Sequence, residues 1–348
     1  MKTNRLVFAA IAACLSLVSS TFAWQRGSSG CHKPLPEVLT PGGPSKNLTL
    51  DSKSQIGTIV TRRFLTYLPE NYSKKNRDVA PLILAFHGQT QPTWSMENIT
   101  ALSTPYFNRD AIVVYPEGLN YKSPGQQWLG DPEAPPSSVV DDRIFVEELL
   151  DYLTSTFCVD ESRIYATGLS NGGGLTNLLA CTPALNRRIA AFAAVAAAFY
   201  TDASLTEPLF GAGCDPHLSY GRKIPIMEMH GLNDSIIAYD GDNTPAPNTI
   251  PLPEWVAAWV EKEGCGDREP KVDILDGGNV TKSSWSCGGW KDVFVHYRID
   301  KFGHGWPSTV WQGEPFENLR LGPTMWNATS VILEWFGRWK LEPVRELK

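Results

Sequence analysis

Residues 163–180 read RIYATGLSNGGGLTNLLA. The first five, Arg163–Thr167, are a strand candidate, and Asn171–Ala180 is predicted to form a helix. Between them lies Gly168-Leu169-Ser170-Asn171-Gly172, which has the pattern G-x-S-x-G. Its glycines allow a sharp turn that exposes a serine hydroxyl above the sheet edge, and the helix N-terminus behind it favours developing negative charge. The context indicates that Ser170 is a nucleophile; the alternative is an idle serine in a glycine-rich turn.

Short apolar runs alternate with helical patterns along the chain. The expected strands are Thr58–Tyr67, Leu82–Phe86, Ile112–Tyr115, Arg163–Thr167, Ile224–Met229 and Val293–Ile299. The expected helices are Ile144–Leu153, Asn171–Ala180, Pro253–Glu263 and Thr324–Trp339. Residues 191–198 are apolar and small, and their pattern fits either a strand or a helix. The alternation indicates an α/β fold with a mostly parallel sheet and helices on both faces.

The start of the chain has the pattern of a secretory signal peptide. Lys2 and Arg5 precede the apolar stretch Leu6–Val18, and Thr21-Phe22-Ala23 forms a small-residue cleavage site. The apolar stretch is too short to span a bilayer. We therefore expect residues 1–23 to be removed and the protein to be secreted and extracellular.

The rest of the chain is expected to hold one folded domain. Residues 24–55 are rich in Ser, Gly, Pro and Lys and are expected to be an irregular lead-in, followed by a catalytic domain over residues 56–348. The formal net charge of −6, with no basic run, argues against nucleic acid or an anionic membrane as partner. We expect a monomer that needs no cofactor.

Six of the seven cysteines follow the signal peptide, and an even number in a secreted chain favours three disulfides. They are Cys31, Cys158, Cys181, Cys214, Cys265 and Cys287. The strand before the serine spans roughly 17–23 Å and the helix after it returns roughly 15 Å, which predicts a Cys158–Cys181 pair below the sheet. Cys265 and Cys287 make a natural local pair, which leaves Cys31 with Cys214. No Cys-x-x-Cys pair occurs, so no metal site is expected.

Six Asn-x-Ser/Thr sequons are acceptor patterns for N-glycosylation. Glycosylation is expected at Asn47, Asn71, Asn98, Asn279 and Asn327, and the sixth sequon lies at Asn233.

A serine nucleophile needs a general base. The chain has six histidines, His32, His87, His217, His230, His296 and His304. When a strand–turn–helix presents the serine, the acid and then the histidine follow it along the chain. His217 and His230 leave little room for an acid before them, and His296 lies inside an alternating strand. His304 is the expected base, because glycines on both sides let its ring reach across the top of the sheet.

The acid should follow a strand between the serine and the base. The run Ile224–Met229 leads into His230-Gly231-Leu232-Asn233-Asp234, which puts Asp234 at the carboxyl end of a strand, where sites gather in α/β sheets. Its role would be to fix the tautomer of the base and to stabilise the imidazolium. Asp240 and Asp242 are rivals deeper in the same loop, and turn capping is the alternative role for Asp234.

An oxyanion hole needs backbone N–H groups that point at the carbonyl oxygen. Asn171, the residue after the nucleophile, should supply one. The loop His87-Gly88-Gln89-Thr90-Gln91 follows a strand candidate and should supply the other, from Gln89 or Thr90. His87 is expected to brace this loop rather than to react.

Three side chains are candidates for substrate binding. Trp306 follows the base by two residues and Trp128 lies in a Gly/Pro-rich loop, so either could stack on a phenolic or sugar ring. Gln91, at the end of the oxyanion loop, is the third. Ordinary packing is the alternative for both tryptophans.

These motifs together are similar to a family of secreted esterases. They are His87-Gly88, Gly168-x-Ser170-x-Gly172, His230-Gly231-x-x-Asp234 and Gly303-His304-x-Trp306-Pro307, with Gln127-Trp128, Val140-Asp141-Asp142 before Phe145, and Ser29-Gly30-Cys31. Over residues 58–340 the chain resembles feruloyl esterases, acetylxylan esterases and polyhydroxybutyrate depolymerase-like proteins. The resemblance implies a single-domain α/β-hydrolase fold and a serine esterase. One departure is the oxyanion loop, which lacks the glycine-rich run common in that family.

The resemblance implies a substrate as well. With fungal feruloyl esterases as the nearest match, the expected substrates are plant cell-wall polysaccharide esters or small phenolic esters, from which hydroxycinnamates such as ferulate are released. The alternatives are an acetylxylan esterase or polyhydroxyalkanoate depolymerase, and an inactive carbohydrate-binding relative. The intact set of serine, acid and histidine argues against an inactive relative.

Overall fold

The computed structural model describes residues 27–119, 126–200, 222–241 and 249–342. The predicted signal peptide (1–23), Cys214, His217 and Asp242 lie outside these ranges.

One sheet forms the centre of the described chain. Its strands are β1 (Lys46–Ser52), β2 (Val60–Tyr67), β3 (Ala80–Phe86), β4 (Ile112–Pro116), β5 (Val159–Leu169), β6 (Ala191–Val195), β7 (Ile226–Gly231), β8 (Lys271–Leu275), β9 (Val280–Cys287) and β10 (Trp290–Ile299). They lie in the order β1-β2-β4-β3-β5-β6-β7-β10-β9-β8. All pairings from β4 to β10 in this order are parallel, and the pairings outside them are antiparallel. The expected mostly parallel sheet is confirmed.

Helices connect and cover the strands. They are α1 (Thr93–Thr100), α2 (Asp142–Thr156), α3 (Asn171–Cys181), α4 (Pro183–Asn186), α5 (Leu252–Lys262), α6 (Phe316–Leu319) and α7 (Ala328–Phe336). Every residue of β4, β6 and β7 is buried. Because successive side chains of a strand point to opposite faces, both faces of the sheet are covered at these strands. Among the helices of the described ranges, none is long and apolar enough to cross a membrane.

The lead-in at residues 24–55 is more ordered than its composition predicted. It contains β1, which pairs antiparallel with β2 and forms one edge of the sheet. Its earlier part is held by Asn76, whose side-chain amide donates to the carbonyl oxygens of Gly30 (2.7 Å) and Thr156 (3.0 Å). The expectation of an irregular segment was wrong for Lys46–Ser52, because these residues form an edge strand in which five of the seven residues are polar.

The disulfide pairing differs from the prediction. Cys31 is joined to Cys158, with their Cα atoms 4.0 Å apart, so the expected Cys158–Cys181 and Cys31–Cys214 pairs are wrong. Cys181 is disulfide-bonded too. The error lies in the strand length: β5 has 11 residues and spans about 36 Å, whereas the 11 residues of α3 return only about 16 Å. The helix therefore ends well short of the start of the strand.

Two contacts bring the first cysteine to β5. Ser28 donates its backbone N–H to Val159 O (3.0 Å) and its hydroxyl to Phe157 O (2.6 Å), which aligns the lead-in with the start of the strand. At the other end of the sheet, Cys265 and Cys287 are joined, with their Cα atoms 5.5 Å apart, as the sequence predicted.

The five expected glycosylation sites differ in exposure. Asn47, Asn71 and Asn98 are exposed, whereas Asn279 and Asn327 are half-buried. The side chain of Asn327 also accepts a hydrogen bond from the backbone N–H of Thr309 at 3.0 Å. The three exposed asparagines are therefore the most open to a glycosyltransferase.

Candidate active site

Ser170 lies between β5 and α3. Its backbone has φ 56° and ψ −122°, a conformation that residues other than glycine rarely adopt. Two hydrogen bonds hold this strained backbone: Ser170 N–H donates to Val195 O, and Ala198 N–H donates to Ser170 O, both at 3.0 Å. Strain that the surrounding structure holds in place is typical of functional positions. The local geometry is the elbow that the G-x-S-x-G pattern predicts.

Two glycines make the elbow possible by allowing close approach of the backbone. A Cβ on Gly172 would overlap the carbonyl oxygens of Phe86 and His87, and a Cβ on Gly168 would overlap the carbonyl oxygen of Gly172. The start of α3 can therefore lie directly against the end of β3. This contact brings the loop after β3 beside the serine.

The expected acid and base are hydrogen-bonded to each other. His304 donates its Nδ1–H to Oδ2 of Asp234 at 2.7 Å. The other carboxylate oxygen of Asp234 accepts the backbone N–H groups of Ile236 (2.9 Å) and Ile237 (2.8 Å), so turn capping and pairing with the histidine occur together. Of the rivals, Asp240 is exposed and Asp242 lies outside the described residues.

The charge state of Asp234 allows His304 to act as a base. Burial by itself would raise the pKa of Asp234, but hydrogen bonds from His230 and His304 outweigh it and hold that pKa well below its usual range. The carboxylate is therefore ionised at neutral pH and accepts the Nδ1 proton. This leaves Nε2 of His304 as the ring nitrogen that can take a proton.

All three predicted residues lie at one edge of the sheet. Ser170, Asp234 and His304 follow β5, β7 and β10, which are parallel strands within four neighbouring positions. The carboxyl ends of parallel strands meet at the same edge, where ligands bind in open α/β sheets. The serine and the histidine are each 7% exposed, so they are largely shielded but still reachable.

The oxyanion loop lies next to the serine. A Cβ placed on Gly88 would be 3.3 Å from Ser170 Cβ. Asn171 is the first residue of α3, and N–H groups in a helix's first turn have no intrahelical acceptor. Gln89 N–H has no acceptor among the residues that the structure describes. Thr90 N–H donates to Gln126 O at 2.7 Å, so the prediction that Thr90 could serve as a donor is corrected: its N–H is already used.

Two buried side chains brace this loop. His87 accepts the backbone N–H of Gly118 at Nε2 (3.0 Å) and donates from Nδ1 to Gly88 O (2.7 Å). Burial lowers the pKa of His87 to about 4, so its ring is neutral. The indole N–H of Trp128 donates to His87 O at 2.9 Å, and the side chain of Asn171 accepts the backbone N–H of Trp128 at 2.8 Å.

The proposed stacking of two tryptophans is wrong. Trp128 and Trp306 are 0% and 1% exposed, which leaves no ring face for a ligand. Trp306 donates its indole N–H to the hydroxyl of Thr329 at 3.0 Å, and both rings belong to the core. Gln91 is half-buried, and its amide group lies against Gly88, beside the candidate oxyanion loop.

A second buried histidine, which sequence reasoning passed over as a base, lies behind the acid. His230 Nδ1 is 3.0 Å from Glu228 Oε1, and its Nε2 is 2.9 Å from Ile237 O and 3.3 Å from Asp234 Oδ2. The signal for it was Glu228, a charged residue in the apolar strand β7. In the described ranges, no group of three or more His, Cys, Asp or Glu side chains is arranged to hold a metal ion.

Known esterases are similar to this chain in sequence. No family model matches the chain. The chain is 28% identical to feruloyl esterase B of Piromyces equi over 233 residues, which are 66% of this chain and 40% of that protein. It is 27% identical to feruloyl esterase C of Emericella nidulans over 279 residues, which are 77% of this chain and 85% of that protein.

A solved structure supports the fold. Acetyl xylan esterase from Aspergillus awamori matches with a TM-score of 0.54 at 16% identity, over 85% of this chain and 99% of that one. At that identity the likeness concerns the fold alone. The predicted resemblance is confirmed: the chain has an α/β-hydrolase fold and is similar in sequence to fungal feruloyl esterases.

Proposed function

We propose that this protein is a secreted serine esterase that releases hydroxycinnamates such as ferulate from plant cell-wall polysaccharide. The observation that carries the proposal is the strained Ser170 at the same sheet edge as the hydrogen-bonded Asp234–His304 pair. The names of the two relatives, both feruloyl esterases, support a hydroxycinnamoyl group as the acyl group of the substrate. The disulfide-bonded cysteines and the exposed sequons support an extracellular protein.

In the proposed acylation step, His304 Nε2 takes the Ser170 hydroxyl proton as Oγ attacks the ester carbonyl carbon. The carbonyl oxygen becomes an oxyanion, which accepts hydrogen bonds from the backbone N–H groups of Gln89 and Asn171. When the tetrahedral intermediate collapses, His304 returns the proton to the leaving alkoxide oxygen, which departs as an alcohol or sugar hydroxyl. The acyl group stays on the serine as an ester.

In deacylation a water molecule repeats the sequence. His304 removes a proton from the water, the resulting hydroxide adds to the acyl carbon, and the intermediate expels the serine oxygen. The proton returns to Ser170, and the free carboxylic acid leaves. Asp234 stays ionised throughout and stabilises the imidazolium that forms in each half-reaction.

A substrate panel tests the acyl preference. The purified protein is assayed with methyl ferulate, methyl caffeate, an aryl acetate and short polyhydroxybutyrate. The proposal expects turnover of both methyl hydroxycinnamates. Rapid cleavage of the aryl acetate with no cleavage of methyl ferulate would instead favour an acetyl esterase.

A further inference from the structure

A line of buried polar side chains continues behind Asp234. Its members are in contact in the order Asp234, His230, Glu228, His296 and Tyr239. All of them except the half-buried Tyr239 are buried. Buried polar groups persist in a core when their partners satisfy them, so the pattern of donors and acceptors fixes the charge of each member.

His230 faces oxygen atoms at both ring nitrogens. Nε2 is 2.9 Å from Ile237 O, a carbonyl that can only accept, and 3.3 Å from the ionised Asp234. Nδ1 is 3.0 Å from Glu228 Oε1. A neutral imidazole has one donor and one acceptor, as in His87, whereas three accepting oxygens around the ring require two N–H groups. His230 is therefore an imidazolium.

Glu228 faces a second histidine on its other side, at ion-pair distance and without hydrogen-bond geometry. Its Oε2 lies 2.8 Å from Nδ1 of His296, and Nε2 of His296 lies 2.9 Å from the hydroxyl of Tyr239. Burial would raise the pKa of Glu228, but contacts with His230 and His296 lower it. For His230, burial would lower the pKa, yet the hydrogen bonds to Asp234 and Glu228 raise it.

A nearby charged residue of β10 is engaged elsewhere. Arg298 lies beside His230 in the register of β10 with β7, but its guanidinium is 42% exposed and pairs with Asp300 at 2.9 Å. Glu228 and Asp234 thus carry two negative charges and His230 one positive charge. These three residues together present a single net negative charge to His304.

Resting on the proposed function, we propose that His230 is a positioning residue: an imidazolium clamped between Glu228 and Asp234. It acts through Asp234 in two ways. Its Nε2 donates to Ile237 O and lies 3.3 Å from Oδ2, the same oxygen that accepts the His304 proton, so its positive charge holds that side of the carboxylate. Its charge also offsets one of the two buried carboxylates behind His304.

Charge-changing variants separate this role from a structural one. His230→Gln removes the cation, so the acid limb of the kcat/KM profile on an ester substrate should move to higher pH by roughly one unit. The double variant E228Q/H230Q removes one charge of each sign, so its acid limb should lie back toward that of the parent. A merely structural role would lower kcat/KM in both variants without moving the limb, and that result would overturn the proposal.

The protonation state can be read without turnover. In the intact protein labelled with 15N-histidine, two ring nitrogens assigned to His230 should both show the shift of protonated imidazole at pH 8. Absence of the signals from a folded H230Q sample makes the assignment; if H230Q fails to fold, through-space contacts between the His230 ring and Ile237 in the parent make it. A neutral His230 at pH 8 overturns the proposal in either case. If instead no ester is hydrolysed by the parent, the proposed function fails while the nitrogen shifts still decide the state of His230.

Discussion

His304 and Asp234 are joined by a 2.7 Å hydrogen bond between residues 70 positions apart in the chain. The bond exists because β7 and β10 are adjacent parallel strands, so the loops that follow them begin at the same sheet edge. It fixes the proton on Nδ1 and leaves Nε2 free to act as a base. The chemistry proposed for Ser170 depends on this one contact.

Asp234→Asn should lower kcat/KM on methyl ferulate by roughly 10⁴-fold, because an amide cannot hold His304 in the required tautomer. The fold should persist, since the side-chain oxygen of Asn can still accept the N–H groups of Ile236 and Ile237. The measurement is steady-state kinetics with circular dichroism as a check on folding. Asp240→Asn is the matched control and should retain parental activity, because Asp240 is exposed. If Asp240→Asn lost activity and Asp234→Asn kept it, Asp240 rather than Asp234 would be the acid of the triad.

Gly172→Ala should abolish soluble active enzyme or lower its thermal midpoint by several degrees. A Cβ at this position would overlap the carbonyl oxygens of Phe86 and His87, which are backbone atoms that cannot move aside without displacing β3. Differential scanning fluorimetry measures the shift. Gly266→Ala provides the comparison, since a Cβ there meets nothing within 4 Å. Equal thermal midpoints for the two variants would be inconsistent with the close approach described at the elbow.

Removing the Cys31–Cys158 bridge should destabilise the protein more than removing Cys265–Cys287. The two bridges close 127 and 22 residues of chain, and loop-closure entropy makes the longer loop worth about 1.5 kcal/mol more. Double Cys→Ser variants unfolded in urea under non-reducing conditions give the two free energies. Peptide mapping without reduction is an independent check, and recovery of Cys31 linked to Cys214 would contradict the pairing in the structure.

Alkaline pH should weaken the contribution of His230 to folding. Burial opposes its protonation, but hydrogen bonds to Asp234 and Glu228 raise its pKa from 6.5 to about 10. A histidine with a raised pKa in the folded state stabilises fully below its unfolded value and loses that contribution as pH rises through its folded value. The difference in unfolding free energy between the parent and E228Q/H230Q should therefore shrink between about pH 6.5 and 10, at up to about 1.4 kcal/mol per unit. A constant difference over this window would argue against the ion pair.

The sequence predicted what depends on local patterns and strand order. The elbow at Ser170 needs only a strand, a tight turn and a helix in succession. Asp234 and His304 could be found because each directly follows a predicted strand of a parallel sheet. Residues 191–198 were ambiguous because a fully buried strand such as β6 shows no alternation of polar and apolar residues.

The predictions that failed depended on strand length and side-chain burial, which a local sequence pattern does not show. The length of β5 decided the disulfide partner of Cys158, and its first residues, Val159-Asp160-Glu161-Ser162, do not read as a strand. β8 and β9 form a hairpin at the sheet edge and were missed for different reasons: β8 has only five residues, and β9 is mostly polar. The burial of the tryptophans could not be predicted from the local sequence. The Gly/Pro-rich loop around Trp128 predicted a surface position, yet its ring packs edge-on against Phe86.

The central claim is that Ser170 is the nucleophile of an esterase, and Ser170→Ala tests it most directly. Turnover of methyl ferulate is measured for the purified parent and variant, with matching thermal midpoints as proof that both are folded. We predict that the variant loses activity by roughly 10⁴-fold or more, because removing the serine of such a triad leaves only binding and the oxyanion hole. A folded Ser170→Ala protein with near-parental turnover would contradict the assignment of the nucleophile and with it the proposed mechanism.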